Sequence, residues 1–155
     1  MISASTLNSY LNKHMSMICP NGYDKDNINH CAHFVGHVLD ITVGKTCLSI
    51  VHGTGAEGSI RVNEIFNLYC PLVGEWKSKP SSLSRCLIFI TSPTNVTLSP
   101  KHMTDHPTKH IGIFVGGRVW HYSNGRHKVV SVPVNQMKKH YSGQTDDWLF
   151  YGTLR

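Results

Sequence analysis

The segment at residues 110–124, HIGIFVGGRVWHYSN, constrains the fold of this 155-residue chain more than any other. Two runs rich in β-branched and aromatic residues flank a Gly-Gly pair at 116–117, and both glycines accept the positive φ angles that a two-residue hairpin turn requires. This turn pairs Val115 with Arg118, and every later pair follows from that one. The sequence therefore predicts an antiparallel hairpin with a defined register.

The same register brings two histidines together. Because residues of equal parity on a strand share a face, His110 and Gly112 lie on the face that also carries His121. The two histidines are then diagonal neighbours, about 7–8 Å apart at the backbone and within reach of each other's side chains. Gly112 leaves room beside them.

A helix is predicted to begin at Cys31, with Asn29 as its cap. Its apolar residues fall at helical spacing on one stripe, and they are Cys31, Phe34, Val35, Val38 and Leu39. We expect this stripe to cover the side chains of Phe114 and Val119 on the histidine face of the hairpin. The cysteine then lies at a helix start and close to the two histidines.

Such an arrangement has a chemical meaning. The helix dipole favours the thiolate of a cysteine at a helix N-terminus, and a histidine beside it takes the proton. A second polar residue fixes the tautomer of that histidine. Cys31, His110 and His121 supply these three parts, and the alternative is a packed cysteine with two surface histidines.

Other segments predict the rest of the fold. A helix is expected over residues 1–20 and another over 59–69, and the strand candidates are 86–91, 110–115, 118–123, 128–132 and 148–154, with a short helix at 135–141. Helices come first and a mostly antiparallel sheet follows, which indicates an α+β fold. The length indicates one domain over residues 1–155.

Motifs for cofactors are weak in this chain. GTGAEG at 53–58 matches the dinucleotide fingerprint, but no parallel βαβ series follows, and VGKT at 43–46 lacks the first glycine of a phosphate-binding loop. The five cysteines are odd in number and form no CxxC, which argues against a disulfide framework and a zinc ribbon. We expect reduced thiols and no cofactor. We also expect a solvated His33–His37 pair, although its i, i+4 spacing can hold a metal.

The charge and hydropathy patterns bear on partners and location. The net charge is +6 with eleven histidines, but the lysines and arginines are scattered, which favours a solvated surface over a nucleic-acid site. No stretch approaches the roughly 18 apolar residues that span a bilayer. The N-terminus has neither a basic start nor a sustained apolar run. We therefore expect no signal peptide, and either a cytoplasmic location or export by a signal-independent route.

Two segments resemble the NlpC/P60 group of papain-like cysteine peptidases and amidases. Members open a helix with Cys after Asp or Asn, as in DCSGFV, and here residues 29–35 are NHCAHFV. A family strand beginning HVGIY is similar to HIGIF at 110–114, and the IHAS-like segment with the third catalytic residue is similar to VWHYS at 119–123. The order of strand, short helix and last strand over 128–154 is similar as well. The Ser-Gly after the cysteine is replaced by Ala-His at 32–33.

The resemblance implies a papain-like fold in which N-terminal helices pack on the sheet, with residues 42–85 as an insert that forms part of the substrate groove. It implies that Cys31 is the nucleophile, His110 the general base and His121 the orienting residue. The oxyanion hole would use the backbone N–H of Cys31 and of a neighbour. Tyr23 is the candidate for a tyrosine that members often carry upstream of the cysteine.

By the same resemblance, the chain is a cysteine amidase or endopeptidase that hydrolyses amide bonds in peptidoglycan stem peptides through a thioacyl intermediate. A compact member without wall-binding repeats is similar to the amidase effectors that bacteria inject through a type VI system. This implies export to the periplasm of a target cell and an immunity or inhibitor protein as partner.

Two other interpretations stay open, because a fold does not fix a substrate. The same triad can act on another carbonyl, as in a protein deamidase, an isopeptidase or an acyltransferase. A non-enzymatic module that binds a partner, or a metal through His30, His33 or His37, is the third interpretation.

Overall fold

The computed structural model of the protein describes residues 1–141 and 145–155. The helices are α1 (Ala4–Asn8), α2 (Cys31–Val38), α3 (Val62–Glu64, continued by a π-helix Ile65–Tyr69) and α4 (Val134–Lys138). The strands are β1 (Val73–Glu75), β2 (Arg85–Thr91), β3 (Val96–Leu98), β4 (Lys101–Met103), β5 (Lys109–Val115), β6 (Arg118–Ser123), β7 (Lys128–Pro133) and β8 (Leu149–Gly152). Single 3₁₀ turns lie at Met15–Met17, Cys47–Ser49, Trp76–Ser78, Pro93–Asn95 and Asp146–Trp148.

Six strands form one antiparallel sheet in the order β1-β8-β2-β5-β6-β7, and β3 pairs with β4 separately. The apolar run of β2 lies near the middle of the sheet, where all of its residues except Arg85 are buried. The predicted α+β class with a mostly antiparallel sheet is therefore confirmed. The three short strands β1, β3 and β4 were not predicted from the sequence.

The predicted hairpin forms with the predicted register. Val115 pairs with Arg118, and the pairing continues two positions further, to Ile113 and Trp120. The two turn glycines have φ angles of 58° and 94°. These values are the positive φ pair that a two-residue hairpin turn requires, which is why the Gly-Gly pair located the turn correctly.

The expectation that the Cys31 helix covers Phe114 and Val119 is wrong. Helix α2 packs on the opposite face of the sheet, in the core cluster that contains Ile111 and Ile113. Phe114 and Val119 lie in a second cluster, whose other buried members are Cys86, Ile88, Ile90, Val132, Met137 and Leu149. Strand β5 is buried on both faces from His110 onward. Its sequence therefore has no alternation of apolar and polar residues that would indicate which face the helix covers.

The expectation of one helix over residues 1–20 is also wrong. Helix α1 ends at Asn8, and its cap is Ser3, whose Oγ accepts the Thr6 N–H at 3.2 Å. Beyond α1 the backbone turns at Asn12, which has a φ of 65° and donates its N–H to the Val129 carbonyl at 3.0 Å. Hydrogen bonds to β7 therefore replace the helical ones, an instance of tertiary contacts overriding a helical pattern.

The segment at residues 42–85 joins the core at both of its ends. Its first part folds against α2, where the Ser59 N–H donates to the Ile41 carbonyl at 2.8 Å. Its last part supplies β1, which pairs with β8 at the edge of the sheet. The helix predicted over 59–69 is present as α3 and its π-helical continuation. Among the described residues, no helix is long and apolar enough to cross a membrane.

Candidate active site

Cys31 is the first residue of α2 and is held there by two asparagines. Its backbone N–H donates to Asn29 Oδ1 at 2.9 Å. The N-cap residue itself is His30, whose side chain makes no capping hydrogen bond, so the prediction of Asn29 as the cap is wrong by one residue. Asn29 Oδ1 also accepts from Asn124 Nδ2 at 3.0 Å, and Asn124 Oδ1 accepts the His30 N–H at 2.9 Å. These bonds tie the start of α2 to the end of β6. They also occupy the Cys31 N–H, so the predicted oxyanion donor is already engaged.

The Cys31 sulfur meets the sheet where β5 and β6 separate. Their pairing ends at Ile113 and Trp120. Hydrogen-bonded and non-hydrogen-bonded positions alternate along an antiparallel strand, so the next backbone N–H of β5 that points toward β6 is that of Ile111. This N–H lies close enough to the Cys31 sulfur to lower the pKa of the thiol. The helix therefore places its thiol beside the residue that follows His110.

The thiol of Cys31 is protonated in the resting protein. Burial raises its pKa to about 11, although the N–H groups of Ile111 and Ala32 and the charge of Lys109 act in the opposite direction. Only 1% of the residue is exposed. The expectation that the helix dipole yields a resting thiolate is thus wrong, because desolvation outweighs the dipole.

The predicted contact between the two histidines is confirmed. His110 Nε2 and His121 Nδ1 lie 2.9 Å apart, and both side chains are buried. Burial lowers the pKa of His121 to about 4 and that of His110 well below its ordinary value, and nearby His140 lowers both further. Both rings are therefore neutral near pH 7 and share a single proton between their facing nitrogens.

The other nitrogen of His110, Nδ1, is buried and has no hydrogen-bond partner among the described residues. A buried polar atom without a partner is costly and rare in folded proteins. Since Nε2 is engaged with His121, Nδ1 is the position at which His110 can accept a proton. Within the described part of the chain no hydrogen bond joins it to the Cys31 sulfur, which lies near the backbone N–H of the next residue, Ile111.

Two aromatic residues after α4 complete the surroundings of this pair. The ring of His140 stacks on that of His110, with centroids 3.8 Å apart and planes 9° from parallel. Burial raises the pKa of Tyr141, and the nearby Cys31 raises it further, so this phenol lies within electrostatic range of the thiol. Neither residue was predicted, because a His-Tyr pair after a short helix carries no recognisable signal.

A cleft of about 210 Å³ opens at Cys31. Its lining residues are Asn29, Cys31, Ile60, Arg61, Val62, Pro107 and Lys109. Residues 60–62 belong to the 42–85 segment, which was expected to form part of a groove. The two cationic side chains of the cleft are each paired with a carboxylate, Lys109 with Asp105 at 2.8 Å and Arg61 with Glu64 at 3.8 Å. His121 and His140 line a separate cavity of about 410 Å³.

Four side chains elsewhere on α2 and its neighbours can hold a metal. The ligand atoms of Cys19, His33, His37 and Cys47 all lie within 4.8 Å of one another. The expectation of a solvated His33–His37 pair is wrong, since His33 is fully buried and burial lowers its pKa to about 3. The i, i+4 spacing does bring the two rings together, with 3.1 Å between their Nε2 atoms, but the two cysteines come from separate segments and match no zinc motif. His30 lies outside the set.

All five cysteines of the chain are free and buried. Tyr23, the candidate for the upstream tyrosine, packs edge-on against His33 at 5.1 Å between ring centroids. It therefore contacts the four-residue metal-capable set, and its hydroxyl lies in electrostatic range of Arg61 at the cleft.

Comparison with models of known protein families, with curated proteins and with solved structures gave no match to this chain. The likeness to NlpC/P60 proteins rests on the short segments around Cys31, His110 and His121. Any function must therefore be inferred from the chemistry of these residues and their surroundings.

Proposed function

We propose that the protein is a cysteine hydrolase that cleaves amide bonds, with Cys31 as nucleophile, His110 as general base and His121 as the residue that orients it. One observation carries this proposal. The His110 ring is hydrogen-bonded to His121 through Nε2, while its Nδ1 is buried without a partner. The Cys31 sulfur lies near the N–H of the next residue, Ile111.

The bond to His121 selects the reactive tautomer of His110. When Nε2 carries the proton and donates it to His121 Nδ1, His110 Nδ1 presents a bare lone pair. A base of this kind needs a fixed ring and a fixed tautomer, which is the role of the third member of a triad. The stacked ring of His140 excludes water from one face of the base.

The reaction proceeds in two steps through the same base. The Cys31 sulfur attacks the amide carbonyl carbon as its proton passes to His110 Nδ1. That proton then moves to the departing amine as the C–N bond breaks and a thioacyl enzyme remains. Water attacks the thioester, His110 takes its proton, the C–S bond breaks, and the proton returns to sulfur with release of a carboxylic acid.

The oxyanion of each step needs donors at the cleft. Both contacts of Asn29 are made through Oδ1, and its Nδ2 has no partner in the described part of the chain. We assign this role to the Asn29 amide group, which lines the cleft together with Cys31, and to the Ala32 N–H, which lies near the sulfur. They replace the Cys31 N–H in the role that the sequence suggested for it.

The resemblance to NlpC/P60 proteins makes a peptidoglycan stem peptide the proposed substrate and a papain-like fold the proposed class. Arg61 and Lys109 line the cleft beside the thiol, and a substrate carboxylate would compete with Glu64 and Asp105 for them. Stem peptides carry free carboxylates close to their amide bonds. An injected effector with an immunity partner is the matching biological setting, and it stays part of the proposal.

The test is mass spectrometry of purified peptidoglycan treated with the protein and with matched variants. We expect wild type to release new peptide fragments and Cys31→Ala to release none. Cys70→Ala, which also removes a buried thiol, should keep the activity. Release of fragments by Cys31→Ala at the wild-type rate would contradict the proposal. Cleavage of amide bonds in proteins, with no cleavage of wall peptides, would instead indicate a deamidase or an isopeptidase.

A second pair of variants tests the role of His121. Asparagine can offer an oxygen where Nδ1 lies, whereas leucine cannot, so His121→Asn should retain far more activity than His121→Leu. The loss in His121→Leu should be about 10²–10⁴-fold in kcat with a smaller change in KM, as for other orienting residues. Equal activities of the two variants would contradict an orienting hydrogen bond.

A further inference from the structure

The side chains of Cys19, His33, His37 and Cys47 surround one small volume beside α2. We propose that these four residues bind a structural zinc ion in tetrahedral geometry. The inference does not rest on the proposed hydrolase activity, because the four residues belong to none of its steps.

The distances between the ligand atoms suit zinc. A tetrahedral site with Zn–S bonds of about 2.3 Å and Zn–N bonds of about 2.0–2.1 Å has edges of about 3.6 Å between sulfur and nitrogen and about 3.4 Å between two nitrogens. Here the Cys47 sulfur lies 3.7 Å from His37 Nε2, and His37 Nε2 lies 3.1 Å from His33 Nε2. An ion needs only small side-chain movements to fit.

A hydrogen-bond relay prepares His33 as a ligand. The Lys25 carbonyl can only accept, so His30 Nε2 at 2.8 Å donates to it. Neutral His30 then accepts at Nδ1 from His33 Nδ1 at 3.1 Å. The proton of His33 is thereby fixed on Nδ1, and Nε2 is left with a lone pair that faces His37. Metal-bound histidines commonly have their second nitrogen held in this way.

N–H groups also lie near the two sulfur atoms. Asn21 donates from Nδ2 to the Cys47 sulfur at 3.7 Å. The backbone N–H groups of Asn21 and Tyr23 lie near the Cys19 sulfur, although burial has the larger influence and raises the pKa of that thiol. Zinc binding releases the proton of such a thiol, so these N–H groups become contacts to the bound thiolate.

Ligand chemistry selects zinc over other ions. Two thiolates with two imidazoles in a tetrahedral set are typical of structural zinc, whereas magnesium and calcium require oxygen ligands. All four protein ligands are present, so the site is closed, as structural zinc sites are. A disulfide between Cys19 and Cys47 is the competing chemistry, but it would leave the prepared lone pair of His33 without a use.

The ion would join three parts of the chain. Cys19 follows the 3₁₀ turn at Met15–Met17, the two histidines lie on α2, and Cys47 begins another 3₁₀ turn. The segment that follows Cys47 leads to residues 60–62, which line the Cys31 cleft. Zinc would therefore hold one wall of that cleft against the helix that carries the thiol.

The test measures metal directly and needs no enzyme assay. Protein purified without chelators should contain about one zinc ion per chain, as measured by inductively coupled plasma mass spectrometry. Replacement of that zinc by Co²⁺ should give the visible absorption of a tetrahedral ion with thiolate-to-cobalt charge transfer. Reduced protein that contains almost no zinc and takes up no cobalt would overturn the proposal, as would a Cys19–Cys47 disulfide in the protein as isolated.

Variants then assign the ligands. Cys19→Ser and His37→Asn should each abolish stoichiometric zinc, while Cys70→Ser and Cys86→Ser, which also remove buried thiols, should keep it. His30→Ala should weaken zinc affinity about 10–100-fold, as loss of a residue that holds a ligand usually does. Full zinc content in a Cys19→Ser/Cys47→Ser double variant would place the metal elsewhere. Because wild type carries the first test, poor folding of a variant does not decide the outcome.

Discussion

At the scale of single residues, burial decides which protonation states the candidate active site uses. It raises the pKa of the Cys31 thiol to about 11 and lowers that of His121 to about 4, so the resting groups are neutral. A preformed ion pair is therefore not the resting state of this site. The proton must pass from sulfur to His110 during attack, when the substrate carbonyl has displaced water from the cleft.

The buried histidine pair should make the protein sensitive to mild acid. The unfolded chain binds a proton at His121 near pH 6.5, while the folded protein binds it only near pH 4. Between these values the unfolded state holds more protons, so stability is complete above pH 6.5 and is lost as the pH falls toward 4. His121 alone should account for about 2 kcal/mol between pH 7.5 and pH 5.

The measurement is urea unfolding of wild type and His121→Asn at those two pH values. The variant should lose about 2 kcal/mol less than wild type on acidification, whatever its stability at pH 7.5. Acid release of a metal affects both proteins alike and cancels in this comparison. Identical losses in the two proteins would show that His121 is not held neutral in the folded state.

At the scale of elements, α2 carries most of the chemistry that we propose. Its first residue is Cys31, and its buried side presents His33 and His37 to the segments around Cys19 and Cys47. The helix has only eight residues, too few to be stable alone in water. Its position therefore depends on close packing against its neighbours.

Gly36 is where this packing is tightest. A Cβ added there would lie 2.6 Å from both the backbone nitrogen and the carbonyl oxygen of Ser59. Alanine is favoured over glycine in a helix by about 1 kcal/mol. A backbone clash outweighs that gain, because overpacking a well-filled site costs roughly 1–3 kcal/mol. We therefore expect Gly36→Ala to be destabilising despite its better helix propensity.

Thermal and urea unfolding of Gly36→Ala and Gly125→Ala checks this expectation. A Cβ at Gly125 would meet no atom within 4 Å, so that variant should stay close to wild type. Gly36→Ala should also loosen the 58–60 segment and raise the rate at which proteases cut near it. A stabilised Gly36→Ala protein would mean that α2 and Ser59 do not approach as closely as described.

At the scale of the whole molecule, the sequence located the hairpin but not its surroundings. The Gly-Gly turn fixed the pairing of Val115 with Arg118 because turn geometry is a local property. The face that α2 covers could not be predicted, because both faces of β5 are buried. The contact of His110 with His121 followed from the register alone, whereas the stacking of His140 depends on how α4 folds back over the sheet.

The metal-capable set was missed for a similar reason. Only His33 and His37 lie on the same element. Their spacing fits a metal site, but their side chains were expected to be solvated. Cys19 and Cys47 reach them through tertiary folding, which no local pattern records. Long-range convergence of this kind is visible only once the backbone is in place, and it brings two cysteines without a predicted role beside two histidines.

If zinc joins these segments, its removal should destabilise the whole protein. A ligand that binds only the folded state adds about 4 kcal/mol when its concentration is 1,000 times its Kd. For a chain of this size that corresponds to a fall in Tm of roughly 10 °C on chelation. Scanning fluorimetry with and without a strong chelator measures the change. The Cys19→Ser variant should have a lower Tm than wild type, and the chelator should not change that Tm because the variant binds no zinc. Wild type stripped of zinc but unchanged in Tm would contradict a structural role for the ion.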